Sequence, residues 1–226
     1  MNKEAYKYTI QADPDQYDLG YNRQSHLANR VNLINLCHQL NDIGIIVKDH
    51  IKKTPRILII GVGDGLLGLI LTQKYQYHVD TVDIDKRLSP TFIGSVDNLS
   101  GILTKKYDII VCCHVLEHLP FKYFSKSLEE IRKFSSYSII YLPIANLRLF
   151  LHFGLNPLFS KTISFVLTLF FKKPKFDGQH YWEIGLKNFS LRFVRRIVAE
   201  NLGIMDSYHS KEWPYSYNFL LRSNRK

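Results

Sequence analysis

The sequence predicts an α/β protein built on a doubly wound, mostly parallel sheet that ends in an antiparallel hairpin at its C-terminal edge. Three observations predict it. Short apolar runs alternate with segments of helical periodicity, the pattern that makes parallel sheets. A glycine-rich turn sits directly between the first such run and the helical segment that follows it. Two β-rich segments close the chain, and their connection is too short for a parallel crossover.

Each element follows in order. Residues 25–51 carry Leu27, Val31, Leu33, Ile34, Leu40, Ile43 and Ile46 at mixed helical spacings, which predicts an amphipathic helix with a break near Gly44. Residues 56–60 form a short apolar run stopped by glycine and read as a first strand, with a helix over 66–75. Residues 78–83 read as a second strand ending in acid. The run 107–113 is continuously apolar, as in strands buried on both faces, and 137–142 repeats the pattern. Between them 121–134 is helical by spacing, with Pro120 at its start. Residues 190–202 predict a last helix capped by Gly203, and 204–209 with 215–222 predict the closing hairpin.

Composition sets the frame for these elements. A chain of 226 residues with 46% hydrophobic content suits one domain over 1–226, with 1–52 as an N-terminal helical cap and 146–185 as an insert. Cys37, Cys112 and Cys113 leave an odd thiol and a strained adjacent pair, so no disulfide framework is expected and a cytoplasmic setting is. The polar N-terminus lacks the apolar core of a signal peptide, so nothing is expected to direct export. A net charge of +10 predicts a surface that attracts anions. The basic residues are scattered and accompany no recognisable nucleic-acid module.

The insert is far longer than an ordinary connection and reads as a lid or substrate platform. Within it, residues 162–171 are strongly apolar and flanked by Lys161, Lys172, Lys173 and Lys175. The run falls well short of the roughly 20 residues that span a bilayer. It reads as a short helix, either lying in a membrane interface through 161–175 or packed as a buried lid.

The glycine turn Gly61-Val62-Gly63-Asp-Gly65 lets backbone approach a ligand and present amides. A dinucleotide fingerprint beginning at Gly61 wants a small residue where Leu66 stands, and one beginning at Gly63 starts too late after the strand. The bland alternative is a tight strand-to-helix turn and nothing more. Asp83, at the end of the second strand, can accept hydrogen bonds from both hydroxyls of a ribose, with Ile84 beside it and Asp85 as the alternative acid.

The stretch Tyr107-Asp-Ile-Ile-Val-Cys-Cys113-His-Val-Leu-Glu-His-Leu-Pro120, with the alternate glycines upstream, resembles the class I S-adenosylmethionine-dependent methyltransferases of the small-molecule type, over residues 20–222. The resemblance implies a Rossmann-like sheet, an enzyme, and S-adenosyl-L-methionine as cofactor; the alternatives are an NAD(P)-dependent oxidoreductase of Rossmann type and a non-catalytic scaffold that binds S-adenosylmethionine. It places the methionine moiety on Gly61, Val62, Gly63 and Gly65, the ribose on Asp83 and Ile84, the adenine near Ser95 and Val96, and the transferable methyl by Cys113. Two departures stand out. Ile59 replaces the acid usual before the loop, and Ser95 stands where an acid is usual at the adenine, so Ser95 or Asp97 would have to substitute.

His114 and His180 are the candidate bases. His118, Tyr181, Trp182 and Glu183 are candidate acceptor residues, since aromatic faces exclude water and a titratable group takes the hydroxyl proton. The same letters also fit a lid anchor, with Trp182 in the core and Glu183 capping a turn. Amine-methylating nucleic-acid enzymes of the superfamily usually carry Asn/Asp-Pro-Pro-aromatic where Cys113-His-Val-Leu stands here. DNA is therefore not an expected partner, RNA is not favoured, and an oxygen of a small, glycan or lipid-linked acceptor is. His114-Val-Leu-Glu-His118 spells a zinc motif that needs both histidines on one helix face. A strand end followed by Pro120 leaves too little helix for that, so no resident metal is expected. Some quinone-type members resembling this chain do hold a divalent metal nearby, but hydrogen bonding of loop backbone by Glu117 and His118 is the reading adopted.

Overall fold

The computed structural model describes residues 30–155, 159–168, 172–176, 178–210 and 215–223. Its elements run α1 (Arg30–His50), β1 (Arg56–Ile60), α2 (Leu66–Gln73), β2 (His78–Asp83), β3 (Phe92–Ile93), β4 (Tyr107–Cys113), α3 (Phe124–Phe134), β5 (Ser135–Pro143), β6 (Asn146–Leu155), β7 (Phe159–Thr168), α4 (Leu191–Asn201), β8 (Gly203–His209) and β9 (Ser216–Arg222).

A seven-stranded sheet has the order β3-β2-β1-β4-β5-β9-β8. β1 pairs in parallel with β2 and β4, and β5 in parallel with β4, while β9 runs antiparallel between β5 and β8. The predicted mixed sheet with an antiparallel C-terminal edge is thus the observed one. Alternation of side chains along each strand divides the core into two layers. Ile57, Ile59, Ile109, Val111, Ile139 and Tyr141 face α1 and α2 through Ile43, Ile46, Leu67 and Leu71. Leu58, Ile60, Ile110, Cys112, Ile140 and Leu142 face α3 and α4 through Phe124, Leu128, Ile131, Val194 and Val198. Full burial of each such aliphatic side chain stabilises the fold by about 1.5–3 kcal/mol.

Three expectations are corrected. The helix α1 continues unbroken through Gly44, where a Cβ would meet nothing within 4 Å. One glycine costs a helix only about 1 kcal/mol, and the burial of Ile43 and Ile46 on either side outweighs it. The last helix is started by Ser190, whose hydroxyl accepts from the Phe193 amide, but Gly203 does not cap it. Leu202 leaves the helix directly in an extended conformation and Gly203 opens β8.

The third correction concerns the insert. Residues 159–168 form strand β7, paired antiparallel with β6 in a separate two-stranded ribbon, and not a helix. In the register Leu149 lies opposite Phe165 and Leu151 opposite Ile163. The physical reason was present in the sequence. Ser160, Thr162 and Ser164 alternate with Lys161, Ile163 and Phe165, a period of two rich in β-branched and aromatic residues. Residues 1–29 and 169–171 fall outside the described residues, and with them the start of the predicted first helix and the end of the apolar run. No described helix is long and apolar enough to cross a membrane.

The connection order reverses between β1 and β4: β2 and β3 build outward from one side, β5 from the other. In open α/β sheets this reversal leaves a crevice beyond the strand C-termini, where the glycine turn and the residues after β4 both emerge.

Candidate active site

At the crevice the chain leaves β1 through Gly61, Gly63 and Gly65, with φ of +83°, +57° and +77°. These left-handed conformations are strained for any side chain. The first glycine differs from the other two in what surrounds it. A Cβ on Gly61 would lie 2.6 Å from the Val115 Cγ2, so this residue lets the turn after β4 close against the loop. A Cβ on Gly63 or Gly65 would meet nothing within 4 Å, so both face open space. Gly65 starts α2, and the Leu66 amide is met by the Asp64 carboxylate at 3.0 Å.

Asp83 stands at the end of β2, against the loop. The Val62 amide donates to its Oδ2 at 2.7 Å and the Asp85 amide to its Oδ1 at 2.9 Å. Burial pushes its carboxyl above the usual carboxylate range, although both amides pull the other way. With the Ile84 amide, these bonds fix the carboxylate against the loop. Asp85, the alternative acid, is turned to Arg87, whose guanidinium holds its carboxyl below the usual range. Ile84, between them, is half-buried.

Ser95 is buried and its hydroxyl donates to Asp97 at 2.6 Å, while Val96 is 2% exposed. Asp97 is 1% exposed and also lies 3.7 Å from the Lys126 ammonium. Cys113 ends β4 half-buried, and burial pushes its thiol well above the ordinary value.

His114 follows at φ +56°, a left-handed conformation on a residue that is not glycine. It is held by its amide, which donates to the Tyr141 carbonyl at 3.0 Å. His118 and His180 approach with ring centroids 4.9 Å apart. The Tyr181 amide donates to the Glu117 carbonyl at 2.9 Å, and Ile184 bridges Ile144, so the end of the insert is pinned beside the turn after β4. Glu183 Oε1 is 2.6 Å from His180 Nδ1. Tyr181 stacks on Phe176 at 4.4 Å.

The structure thus brings together His114, His118, His180, Tyr181 and Glu183. It does not bring Trp182 to them. Trp182 is 1% exposed, packs on Phe121, Phe124 and Phe189, and donates its indole N–H to the Leu119 carbonyl at 3.1 Å. The expectation that it lines an acceptor site is corrected: it anchors the end of the insert to the core. One site residue was not among those expected: Val115 closes on Gly61. The expectation for Glu117 is corrected, since its carboxylate bonds no loop backbone and lies fully buried among the histidines, while His118 does meet the Gln179 carbonyl.

No protein-family model matches the sequence, and comparison with curated proteins finds no match. Solved structures do match. The magnesium protoporphyrin IX methyltransferase ChlM from Synechocystis PCC 6803 with bound S-adenosylhomocysteine is 15% identical, with 98% of this chain and 100% of that one covered and a TM-score of 0.56. The PH0226 protein from Pyrococcus horikoshii OT3 is 11% identical over 93% of this chain and 99% of that one, with a TM-score of 0.55. The N-methyltransferase NodS from Bradyrhizobium japonicum WM9, also with S-adenosylhomocysteine, is 10% identical over 90% and 97%, with a TM-score of 0.53. The fold of this chain is the class I S-adenosylmethionine-dependent methyltransferase fold.

Proposed function

We propose that the chain is an S-adenosylmethionine-dependent methyltransferase that methylates an oxygen of a small, glycan or lipid-linked acceptor. The observation that carries the reading is the pairing of the open glycine turn with Asp83. Gly63 and Gly65 face space that a Cβ would not fill, and Asp83 is locked to the same loop through the Val62 amide.

The residues present fit the cofactor. Gly61, Val62, Gly63 and Gly65 would take its methionine end, Asp83 and Ile84 its ribose, and Ser95, Val96 and Asp97 its adenine. When bound, S-adenosylmethionine supplies an electrophilic methyl on a sulfonium. Cys113, neutral and half-buried at the end of β4, forms the wall beside which that methyl would lie. His114 and His180 are the groups able to take the acceptor hydroxyl proton, and His180 is oriented for it by Glu183 at 2.6 Å. His118 and Tyr181 would hold the acceptor between the turn after β4 and the insert.

The ribbon β6–β7 is the natural acceptor platform, since it leaves the chain just after β5 and belongs to the same insert whose end carries His180. Its apolar residues and flanking lysines suit a lipid-linked acceptor presented at an anionic interface. The direct test is isothermal titration with S-adenosylmethionine; folded protein that gives no heat removes the proposal. Incubation with labelled S-adenosylmethionine and separate lipid, glycan and RNA pools then identifies the acceptor class. Label in RNA alone would overturn the acceptor assignment while leaving the activity. Flotation with anionic vesicles, in the parent and with Phe170 and Phe171 changed to Ser, tests the interface; no flotation of the parent rejects it.

A further inference from the structure

Three ligand-type side chains converge beside the turn after β4. One ligand atom each of Glu117, His118 and His180 lies within 4.8 Å of the other two. Glu117 and His118 belong to the short helical turn Leu116–His118, whereas His180 arrives from the far end of the insert, carried in by the Tyr181 amide bonded to the Glu117 carbonyl.

Glu117 is 0% exposed, and neither carboxylate oxygen has a hydrogen-bond partner. The nearest ring nitrogen, His114 Nδ1, is 3.5 Å from Oε1. A carboxylate removed from water without hydrogen bonds is among the costlier arrangements a protein interior holds, unless a cation compensates it. The two ligand-type histidines are set for such a cation by their other nitrogens. His118 Nδ1 lies 2.9 Å from the Gln179 carbonyl, and His180 Nδ1 lies 2.6 Å from Glu183 Oε1. Both partners are acceptors, so in the neutral rings each Nδ1 donates and Nε2 is the ligand atom. A backbone carbonyl on one imidazole and a carboxylate on the other is the outer arrangement that orients metal-bound histidines.

We propose that Glu117, His118 and His180 bind a divalent transition-metal ion of the zinc class. Two imidazoles and one carboxylate match that class and leave a fourth position for water or an oxygen ligand, whereas magnesium and calcium prefer oxygen donors throughout. The site is not the His-x-x-Glu-His motif of the sequence: His114 faces Glu117 and is not a ligand, and the second histidine comes from the insert. Bound metal would clasp the end of the insert to the turn after β4, whichever acceptor occupies the crevice, and with His180 engaged it would leave His114 as the base. The inference does not depend on methyl transfer.

The full chain, freed of any affinity tag and stripped with a chelator, would be titrated with cobalt(II). The expected result is visible ligand-field absorption of low-coordinate cobalt that zinc abolishes and magnesium does not. His118→Ala and His180→Ala, with circular dichroism spectra matching the parent, should each weaken cobalt binding more than tenfold. Glu183→Gln, which touches no metal, should weaken it by about tenfold through His180. Absence of the bands, equal affinity in parent and His180→Ala, or displacement of cobalt by magnesium as readily as by zinc would each overturn the site. Failure of the cofactor titration would leave all three readouts intact.

Discussion

A methyl group added at Gly61 would have to displace Val115, because the new Cβ falls 2.6 Å from a branched side chain with little freedom at χ1. The same substitution at Gly63 meets nothing within 4 Å and is strained only by its φ of +57°. The two loop glycines therefore separate stability from binding. Gly61→Ala should cost roughly 2–4 kcal/mol through overpacking and left-handed strain together. Gly63→Ala should cost about 1–2 kcal/mol and fold, yet lose affinity for S-adenosylmethionine by an order of magnitude or more because its Cβ enters the crevice. Urea denaturation and calorimetric titration of both variants check the contrast; equal loss of stability in the two would contradict it.

Asp80 provides the pH dependence at this scale. Tyr107 donates to Oδ2 at 2.8 Å and Lys105 lies 2.7 Å from the same oxygen. Burial raises its carboxyl, but these hydrogen bonds and the charges of Lys105 and Arg56 outweigh it and hold the carboxyl below its ordinary value. A folded-state value below the unfolded one means that the contribution is present above the unfolded pKa of about 3.9 and is lost as pH falls through the lowered folded value. Asp80→Asn should lower stability by about 1 kcal/mol at neutral pH and by less in the acid range. Denaturation midpoints measured from neutral to acid pH should converge for the two proteins.

Among the elements, strands were easier to place than the ribbon. β1, β4 and β5 are buried on both faces, so uninterrupted apolar runs marked them with no knowledge of their neighbours. The ribbon is different, because a strand that pairs only with its neighbour needs that neighbour to be identified, and the alternation of Ser160, Thr162 and Ser164 acquires meaning only beside β6. Its terminal pair, Asn146 and Thr168, brings the two ends of the ribbon together. Replacing residues 147–167 by a short Gly/Ser linker should therefore leave the seven-stranded sheet and S-adenosylmethionine binding in place while abolishing methylation of an apolar acceptor. Loss of cofactor binding in the shortened chain would show that the ribbon supports the crevice itself. A second element-scale expectation rests on Ser190, whose hydroxyl accepts from the Phe193 amide at the start of α4. Ser190→Ala should cost about 1 kcal/mol in denaturant without altering ligand affinity.

Over the whole molecule, the doubly wound order could be read from the succession of strands and helices, and the loop and Asp83 lay where that order puts a crevice. The clustering of Glu117, His118 and His180 could not, because it depends on where a long insert returns, and no periodicity reports that. Nor could the burial of Trp182, whose neighbours Phe121, Phe124 and Phe189 come from separate parts of the chain.

Binding energy is also a property of the whole molecule. A ligand that binds only the folded state stabilises it by about 2.7 kcal/mol when present at about 100 times its Kd. For a chain of this length each kcal/mol raises the melting temperature by roughly 2–4 °C, so saturating S-adenosylhomocysteine should raise it by roughly 5–10 °C. Reduced nicotinamide cofactors should give no shift. The control variants should divide. Asp83→Ala, which removes the carboxylate that secures the Val62 amide, should lose the ligand-induced shift. Ser190→Ala should start from a lower melting temperature and keep the full increment. A nicotinamide-induced shift with none from S-adenosylhomocysteine would move this fold from methyl transfer to hydride transfer.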